Sequence, residues 1–220
     1  MKKIKVIIFD AYGTLFDVNS AAEKCKEKIG DKWESFANYW RTTQLEYTWL
    51  RSLMKRHKDF WQVTEDSLDK SLLAFKIDPN MRSELLNLYK ILNTFPEVKE
   101  VLKNLKKKKY KISILSNGTP DLLDGLVKSN NLEKMFDDIF SIEEVGIYKP
   151  NEKVYDMPIK KYKVEKNEVA FLSANTWDVS GAGNFGLNAI WVNRNKNIFD
   201  KLDYIPHNEI NNLNGLLKLI

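Results

Sequence analysis

Asp10 closes the apolar run Ile4-Lys5-Val6-Ile7-Ile8-Phe9 within the segment FDAYGTLFD, and two residues on stands Tyr12, not a second acid. The run has the length and β-branched enrichment of a buried parallel strand, and open α/β sheets bind ligands at the carboxyl ends of such strands. Asp10 is therefore a candidate nucleophile. Three other segments, far apart in the chain, also end in groups that can do chemistry. Ile112 to Leu115 runs into Ser116-Asn117-Gly118, two hydrogen-bonding side chains and a permissive glycine ahead of a predicted helix, where an anion would sit. Lys149-Pro150 follows a glycine-containing loop and precedes Val154-Tyr155, and Val169 to Leu172 runs into Ser173-Ala174-Asn175-Thr176-Trp177-Asp178.

The elements that must carry these residues follow from hydrophobic period. Strands are predicted at Ile4–Phe9, Ile112–Leu115, Val169–Leu172 and Ala189–Val192, which with intervening helices make a doubly wound, Rossmann-like α/β core with a mainly parallel sheet. Between about Ala21 and Tyr89 the period changes. Trp33, Phe36, Trp40, Tyr47, Leu50 and Met54 recur at helical steps, and Ser67-Leu68, Leu72-Leu73 and Leu85-Leu86-Leu88 mark further short helices. The chain thus reads as a core formed by residues 1–16 and 96–220, with a helical cap subdomain inserted at 17–95 and a return near Thr94-Phe95-Pro96. Trp33, Trp40, Tyr47 and Trp49 need only a packing role. On a helix Arg41 points about 100° away from Trp40, on the side of Leu45 and Thr48, which would turn its guanidinium toward a cleft; a surface ion pair is the plainer alternative.

Composition bounds the rest. The 220 residues are 43% hydrophobic and 12% aromatic, enough for a sizeable core. One cysteine, Cys25, excludes an internal disulfide framework and fits a reducing cytoplasm. No stretch of about 18 apolar residues occurs, and Lys5 and Asp10 interrupt the first apolar run, so neither a signal peptide nor a membrane span is expected. The net charge of +5 is concentrated most visibly at Lys106 to Lys109, which lack interleaved aromatics and sit where lysines complement a helix carboxyl end; no nucleic-acid partner is expected. Gly181-Ala182-Gly183-Asn184-Phe185-Gly186 has the dinucleotide spacing, but Ser173 to Ser180 separates it from its strand, so these glycines read as close-packing positions and no cofactor is expected. His57 and His207 stand alone, with no zinc-ligand spacing around them.

The ordered set FDAYGTL, RTTQLEYTWLR, LSNG, YKP and SANTWD resembles the L-2-haloacid dehalogenase (type II) family of the haloacid dehalogenase superfamily, over nearly the whole chain. Phosphatase members of that superfamily carry a second aspartate at the position of Tyr12 to protonate a leaving oxygen. A halide leaves as a stable anion and needs no proton, so this difference points to carbon–halogen chemistry. The resemblance implies hydrolysis of L-2-haloalkanoic acids to D-2-hydroxyalkanoic acids, with Asp10 forming an ester with the substrate carbon. Arg41, Asn117, Phe60 and Trp177 would receive the halide, and Tyr12 and Leu45 would line the pocket. Thr14 and Ser116 would orient the nucleophile and the substrate carboxylate. Lys149, held by Ser173 and Tyr155, would supply positive potential, and Asp178 with Asn175 would activate water. For Thr14, Ser173 and Tyr155 the plainer role is satisfying loop backbone groups. No metal is expected, because Ser173-Ala174-Asn175 leaves only Asp178 as an acid in the last motif. The partners implied are a small anionic 2-haloacid, halide, and a second copy in a homodimer. The alternatives are a phosphatase of the same superfamily and a non-catalytic binding protein on the same fold. Ala174, often serine in relatives, and Thr42, often a larger polar residue, put the pocket's shape in question.

Overall fold

A computed structural model describes residues 4–220; the first three residues of the expected first core segment lie outside the described residues. The chain opens with β1 (Val6–Phe9), then runs through α1 (Ser20–Lys24), α2 (Lys26–Ile29), α3 (Trp33–Leu53), α4 (Phe60–Phe75) and α5 (Met81–Tyr89). It continues with α6 (Val98–Lys107), β2 (Lys111–Ser116), α7 (Pro120–Ser129), β3 (Asp138–Ser141), α8 (Glu152–Tyr162), β4 (Val169–Ser173), α9 (Thr176–Phe185), β5 (Asn188–Val192) and β6 (Asn208–Ile210). Every strand pairing is parallel, in the order β3-β2-β1-β4-β5-β6. The predicted doubly wound core and its helical cap are both present.

That order places β1 at the centre, with successive strands added first on one side and then on the other. A crevice forms at such a reversal, outside the carboxyl ends of the strands. Register decides which residues meet there. Phe9 is level with Ile114 of β2 and Leu172 of β4, so Asp10, Ser116 and Ser173 all emerge at one edge of the sheet. All of β1 is buried, as a strand covered on both faces must be, which accounts for its unbroken apolar run.

The helices have local causes. Asp59 caps α4 by accepting from Gln62 N, and α7 starts with Thr119 as cap and Pro120 in its first turn, where a missing N–H costs nothing. The two short helices expected around Ser67-Leu68 and Leu72-Leu73 are one continuous α4. In α3 the buried face is Phe36, Ala37, Trp40, Thr43, Gln44 and Thr48, while Leu50 and Met54 are exposed although they continue the apolar spacing. The last turn of α3 still lies against α4, where Arg51 pairs with Asp66 at 2.7 Å. Two strands went unread, β3 and β6, because DIFS and NEI are short and carry polar residues. Gly181 and Gly183 of the dinucleotide-like spacing are packing positions, whereas Gly186, at φ +107°, ends α9 in the left-handed region. A Cβ on Gly181 would come within 2.6 Å of Pro150 Cβ, and one on Gly183 would overlap the Tyr204 ring. Of the basic run, Lys106 pairs with Asp137 and Lys107 to Lys109 are exposed. Among the described residues no helix is long and apolar enough to cross a membrane.

Candidate active site

Asp10 is almost wholly buried at the end of β1, and each of its oxygens is held. Oδ1 accepts from Lys149 Nζ at 3.1 Å, and Oδ2 accepts from Thr14 Oγ1 and Asn175 Nδ2, both at 3.0 Å. The same donors knit two loops together. Thr14 Oγ1 accepts from Ala174 N at 2.8 Å, and Asn175 Nδ2 also reaches the Tyr12 carbonyl at 3.2 Å. Gly13, at φ +87°, makes the turn that brings Thr14 back under Asp10.

Lys149 arrives from the loop before α8, its backbone N–H donating to Asn117 Oδ1 at 3.1 Å. Its ammonium, 1% exposed, sits between Asp10 and Asp178, reaching Asp178 Oδ2 at 3.0 Å. Tyr155 Oη donates to the other oxygen, Asp178 Oδ1, at 2.7 Å. This corrects one expectation: Ser173 and Tyr155 do not hold the Lys149 ammonium. Tyr155 fixes Asp178, and Ser173 Oγ accepts from Asn175 N at 3.1 Å, fixing the turn that presents Asn175. The reason is burial, since an ammonium enclosed here is satisfied best by carboxylates.

The charges are strongly coupled. Burial pushes the Asp178 carboxyl up to about 6; the Lys149 charge opposes that shift and the Asp10 charge adds to it. Burial alone would lower Lys149, but Asp10 and Asp178 outweigh it and hold the ammonium above its usual value. Burial, followed by the Asp178 charge, keeps Tyr155 protonated and able to donate.

The cap supplies the opposite wall. Tyr12 packs against Phe60 at 5.1 Å between ring centroids and stacks on Tyr89 at 5.7 Å. Its hydroxyl is buried with no hydrogen-bond partner among the described residues and faces Gly118, where a Cβ would lie 2.9 Å away. Burial and Tyr89 hold Tyr12 well above its usual pKa while the Arg41 charge pulls it down, so the guanidinium acts on this pocket. Trp177, in the first turn of α9, packs against Trp49 edge to face at 5.4 Å. Leu45 is half-buried in α3 and Ser116 Oγ accepts from Gly118 N at 3.1 Å. A polar cavity of about 330 Å³, lined by Gly13, Asn38, Arg41, Asn175 and Arg194, opens onto the site, whereas a larger cleft of about 720 Å³ around Trp61, Thr119 and Gly125 contains none of these groups.

Two sets of residues escaped the sequence reading. Arg194 donates to the Thr14 carbonyl at 2.8 Å and to Glu97 at 2.7 Å, and lies 3.7 Å over the Phe95 ring, bracing both chain passages between core and cap. Its position just past β5 is the same signal that marked Asp10 and Ser173. Gln44, Thr64 and Tyr89 lie buried behind Arg41. Gln44 could have been found by its three-residue step from Arg41. His57, read as isolated, pairs with Glu143 at 2.9 Å across the cap–core boundary, and His207 meets Tyr204.

A parallel α/β sheet with a buried Asp–Lys–Asp cluster at its switch point, closed by a helical cap, defines a hydrolase of the haloacid dehalogenase-like class, and the model of that family matches residues 4–186. An (S)-2-haloacid dehalogenase from Pseudomonas sp. (strain YL) is 39% identical over 100% of this chain and 95% of its own. (S)-2-Haloacid dehalogenase 4A from Burkholderia cepacia is 36% identical over 99% and 95%. The structure of L-2-haloacid dehalogenase from Xanthobacter autotrophicus with chloropropionic acid covalently bound matches at a TM-score of 0.91 and 32% identity, covering 98% of each chain. The chain belongs to the L-2-haloacid dehalogenase family of the haloacid dehalogenase superfamily.

Proposed function

We propose that this protein hydrolyses L-2-haloalkanoic acids to D-2-hydroxyalkanoic acids through an ester on Asp10. The observation that carries the reading is the held state of Asp10: a buried carboxylate facing Lys149, Thr14 and Asn175, with Tyr12 where an acid would be needed to protonate a leaving oxygen. A donor set of this kind fixes a nucleophile in one orientation and lowers the entropy of attack.

In the first displacement an Asp10 oxygen forms a bond to C2 from the face opposite the halogen, and halide departs with the bonding pair. Arg41, Asn117, Phe60 and Trp177 receive it, with Tyr12 and Leu45 shaping the pocket and Ser116 meeting the substrate carboxylate. Attack from behind inverts C2. In the second displacement water attacks the ester carbonyl carbon of Asp10, giving one proton to Asp178; the bond from the carbonyl carbon to the C2 oxygen then breaks, that oxygen takes the proton back from Asp178 as the hydroxyl of the product, and the Asp10 carboxyl loses its remaining proton to solvent. The raised pKa of Asp178 suits it to accept a proton near neutral pH. Lys149 balances the charge on Asp10 and on the carbonyl oxygen as the water adds. The cluster supplies its own cation at the place between Asp10 and Asp178, which supports a reaction without metal or cofactor.

The same reading divides the chain into a core of residues 1–16 and 96–220 and a cap of residues 17–95. A homodimer in the cytoplasm belongs to it by family resemblance, and light scattering on the purified protein checks the oligomer. The chemistry is tested by incubating the protein with each enantiomer of 2-chloropropionate in the presence of a strong chelator. Chloride release from the L form alone, with D-lactate as product, is the expected result. A single turnover in heavy-oxygen water should place label in Asp10 before it appears in lactate. Retention at C2, loss of activity to the chelator, or label reaching product first rejects the mechanism.

A further inference from the structure

Behind Arg41 lies a buried polar network that the reaction described above does not use. Arg41 Nη1 donates to Gln44 Oε1 at 2.8 Å, one turn further along α3. Gln44 is 1% exposed, and its Nε2 donates to Thr64 Oγ1 at 2.7 Å and to Tyr89 Oη at 3.0 Å. Thr64 Oγ1 in turn donates to the Phe60 carbonyl at 2.7 Å.

The direction of each bond can be worked out by elimination. The Phe60 carbonyl can only accept, so it takes the single proton of Thr64. Thr64 Oγ1 can then only accept from Gln44, which turns the amide nitrogen toward Thr64 and the amide oxygen toward Arg41. A guanidinium has donors and no acceptor, so this is the orientation in which Gln44 can hold it. The network also closes on itself. Tyr89 stacks on Tyr12, Tyr12 packs on Phe60, and Phe60 returns through Thr64 to Gln44. Gln44, Thr64, Tyr89, Phe60 and Tyr12 are all buried.

We propose that Gln44 is a positioning residue for departure of the leaving group: it sets the direction of the Arg41 guanidinium and ties that direction, through Thr64 and Tyr89, to the placement of Phe60 and Tyr12. The proposal rests on the reading of Arg41 as the residue that receives halide. A long arginine side chain left to itself samples many rotamers, and holding it costs conformational entropy at the moment of reaction unless the fold has already done so. A buried amide is a costly way to fill space, since it must be fully bonded to be tolerated, whereas an aliphatic residue would pack without that demand. Its full bonding here, with the oxygen directed at the Arg41 guanidinium, is what a positioning role requires.

The test measures halide release and ester decay by rapid quench for Gln44→Met, Gln44→Glu and Thr64→Val, with L-2-chloro-, bromo- and iodopropionate as substrates. Met removes the acceptor at nearly constant volume, Glu replaces it with a carboxylate that neutralises the guanidinium, and Val removes only the Thr64 hydroxyl. Gln44→Met should lower the rate constant of halide release per active site about tenfold to a hundredfold for chloride. Gln44→Glu should lower it further and Thr64→Val less. The loss should be smallest for iodide, whose diffuse charge asks least of the guanidinium, and the decay constant of the ester should stay at the wild-type value. A merely structural role would reduce burst amplitude and melting temperature while leaving the rate constant per site and its halide dependence unchanged; that result overturns the proposal. So does an equal loss for all three halides. Arg41→Lys, run alongside, separates the two layers: if it leaves the halide dependence unaltered in an active enzyme, Arg41 is misassigned and the proposal falls with it. A wild-type protein that releases no halide rejects the dehalogenase reading itself.

Discussion

Replacing Lys149 with methionine isolates the charge at the centre of the site. The ammonium is 1% exposed and lies 3.1 Å from Asp10 Oδ1 and 3.0 Å from Asp178 Oδ2, so water has no access to replace it. Methionine fills similar volume near the Phe171 ring, over which the ammonium now sits at 5.0 Å. Packing is therefore largely kept, and two buried carboxylates are left facing one another without a counter-charge. Removing one partner of a buried ion pair costs about 3–5 kcal/mol. For a chain of this length each kcal/mol lowers the melting temperature by about 2–4 °C, so the variant should melt roughly 6–20 °C below wild type at pH 8. The sign of the pH dependence follows from linkage. In the variant Asp178, which burial already raises, loses the opposing Lys149 charge, so its folded-state pKa lies above the unfolded value of about 4; between those two values the native state binds more protons than the unfolded one and stability falls as pH rises. The gap to wild type should accordingly be smaller at pH 5 than at pH 8, and a second change, Asp178→Asn, should recover part of the loss. Calorimetric melts of the three proteins at both pH values make the comparison. A Lys149→Met protein within about 1 kcal/mol of wild type at pH 8, or a gap that does not change with pH, would refute the reasoning.

The two half-reactions should separate by mutation. Asp178→Asn should give a burst of about one halide per site and a stable adduct of acyl-chain mass, while Arg41→Ala should give neither; an adduct on neither protein would mean that Asp178 also holds the first-step geometry. In the wild type, ester hydrolysis should decline in acid, because only ionised Asp178 accepts a proton from water; burial raises Asp178, but esterification removes the Asp10 charge that adds to that shift, so the decline should fall below about 6, and a hydrolysis rate constant flat from about pH 4 to 7 in single-turnover experiments contradicts the assignment. Gly181→Ala should destabilise the protein by about 1–3 kcal/mol and lower activity together, since its Cβ would press on Pro150 and on Tyr155 Oη at 2.7 Å, next to Lys149 and Asp178; denaturant unfolding combined with the halide assay checks both.

Much of this protein can be read from the order of its residues. The four strands that surround the switch point announce themselves as apolar, β-branched runs, because a strand buried on both faces admits little else. Asp10, Ser116 and Ser173 were legible for a related reason: polar residues directly after such runs must emerge where a sheet binds ligands. The helical cap was visible from its period, and the dinucleotide-like glycines could be set aside from their distance to the preceding strand.

Other features needed the tertiary structure. Lys149 and Asp178 are 29 residues apart, and Lys149 and Asp10 are 139 apart. Nothing in the local sequence says that one ammonium lies between the two carboxylates, or that Tyr155 serves Asp178 and not Lys149. The same holds for Arg194, which braces Thr14 from 180 residues away, and for β6, whose three residues become a strand only because β5 offers an open edge. The exposed Leu50 and Met54 make the point in reverse, since their spacing is right for a buried face and only the packing of the folded chain leaves these two positions in solvent. Hydrophobic period and strand-end chemistry are properties of neighbours along the chain, and they persist in any fold that accommodates them. Partners, burial and pKa depend on which distant segments the sheet register and the cap bring within a few ångströms, and only the folded chain fixes those distances.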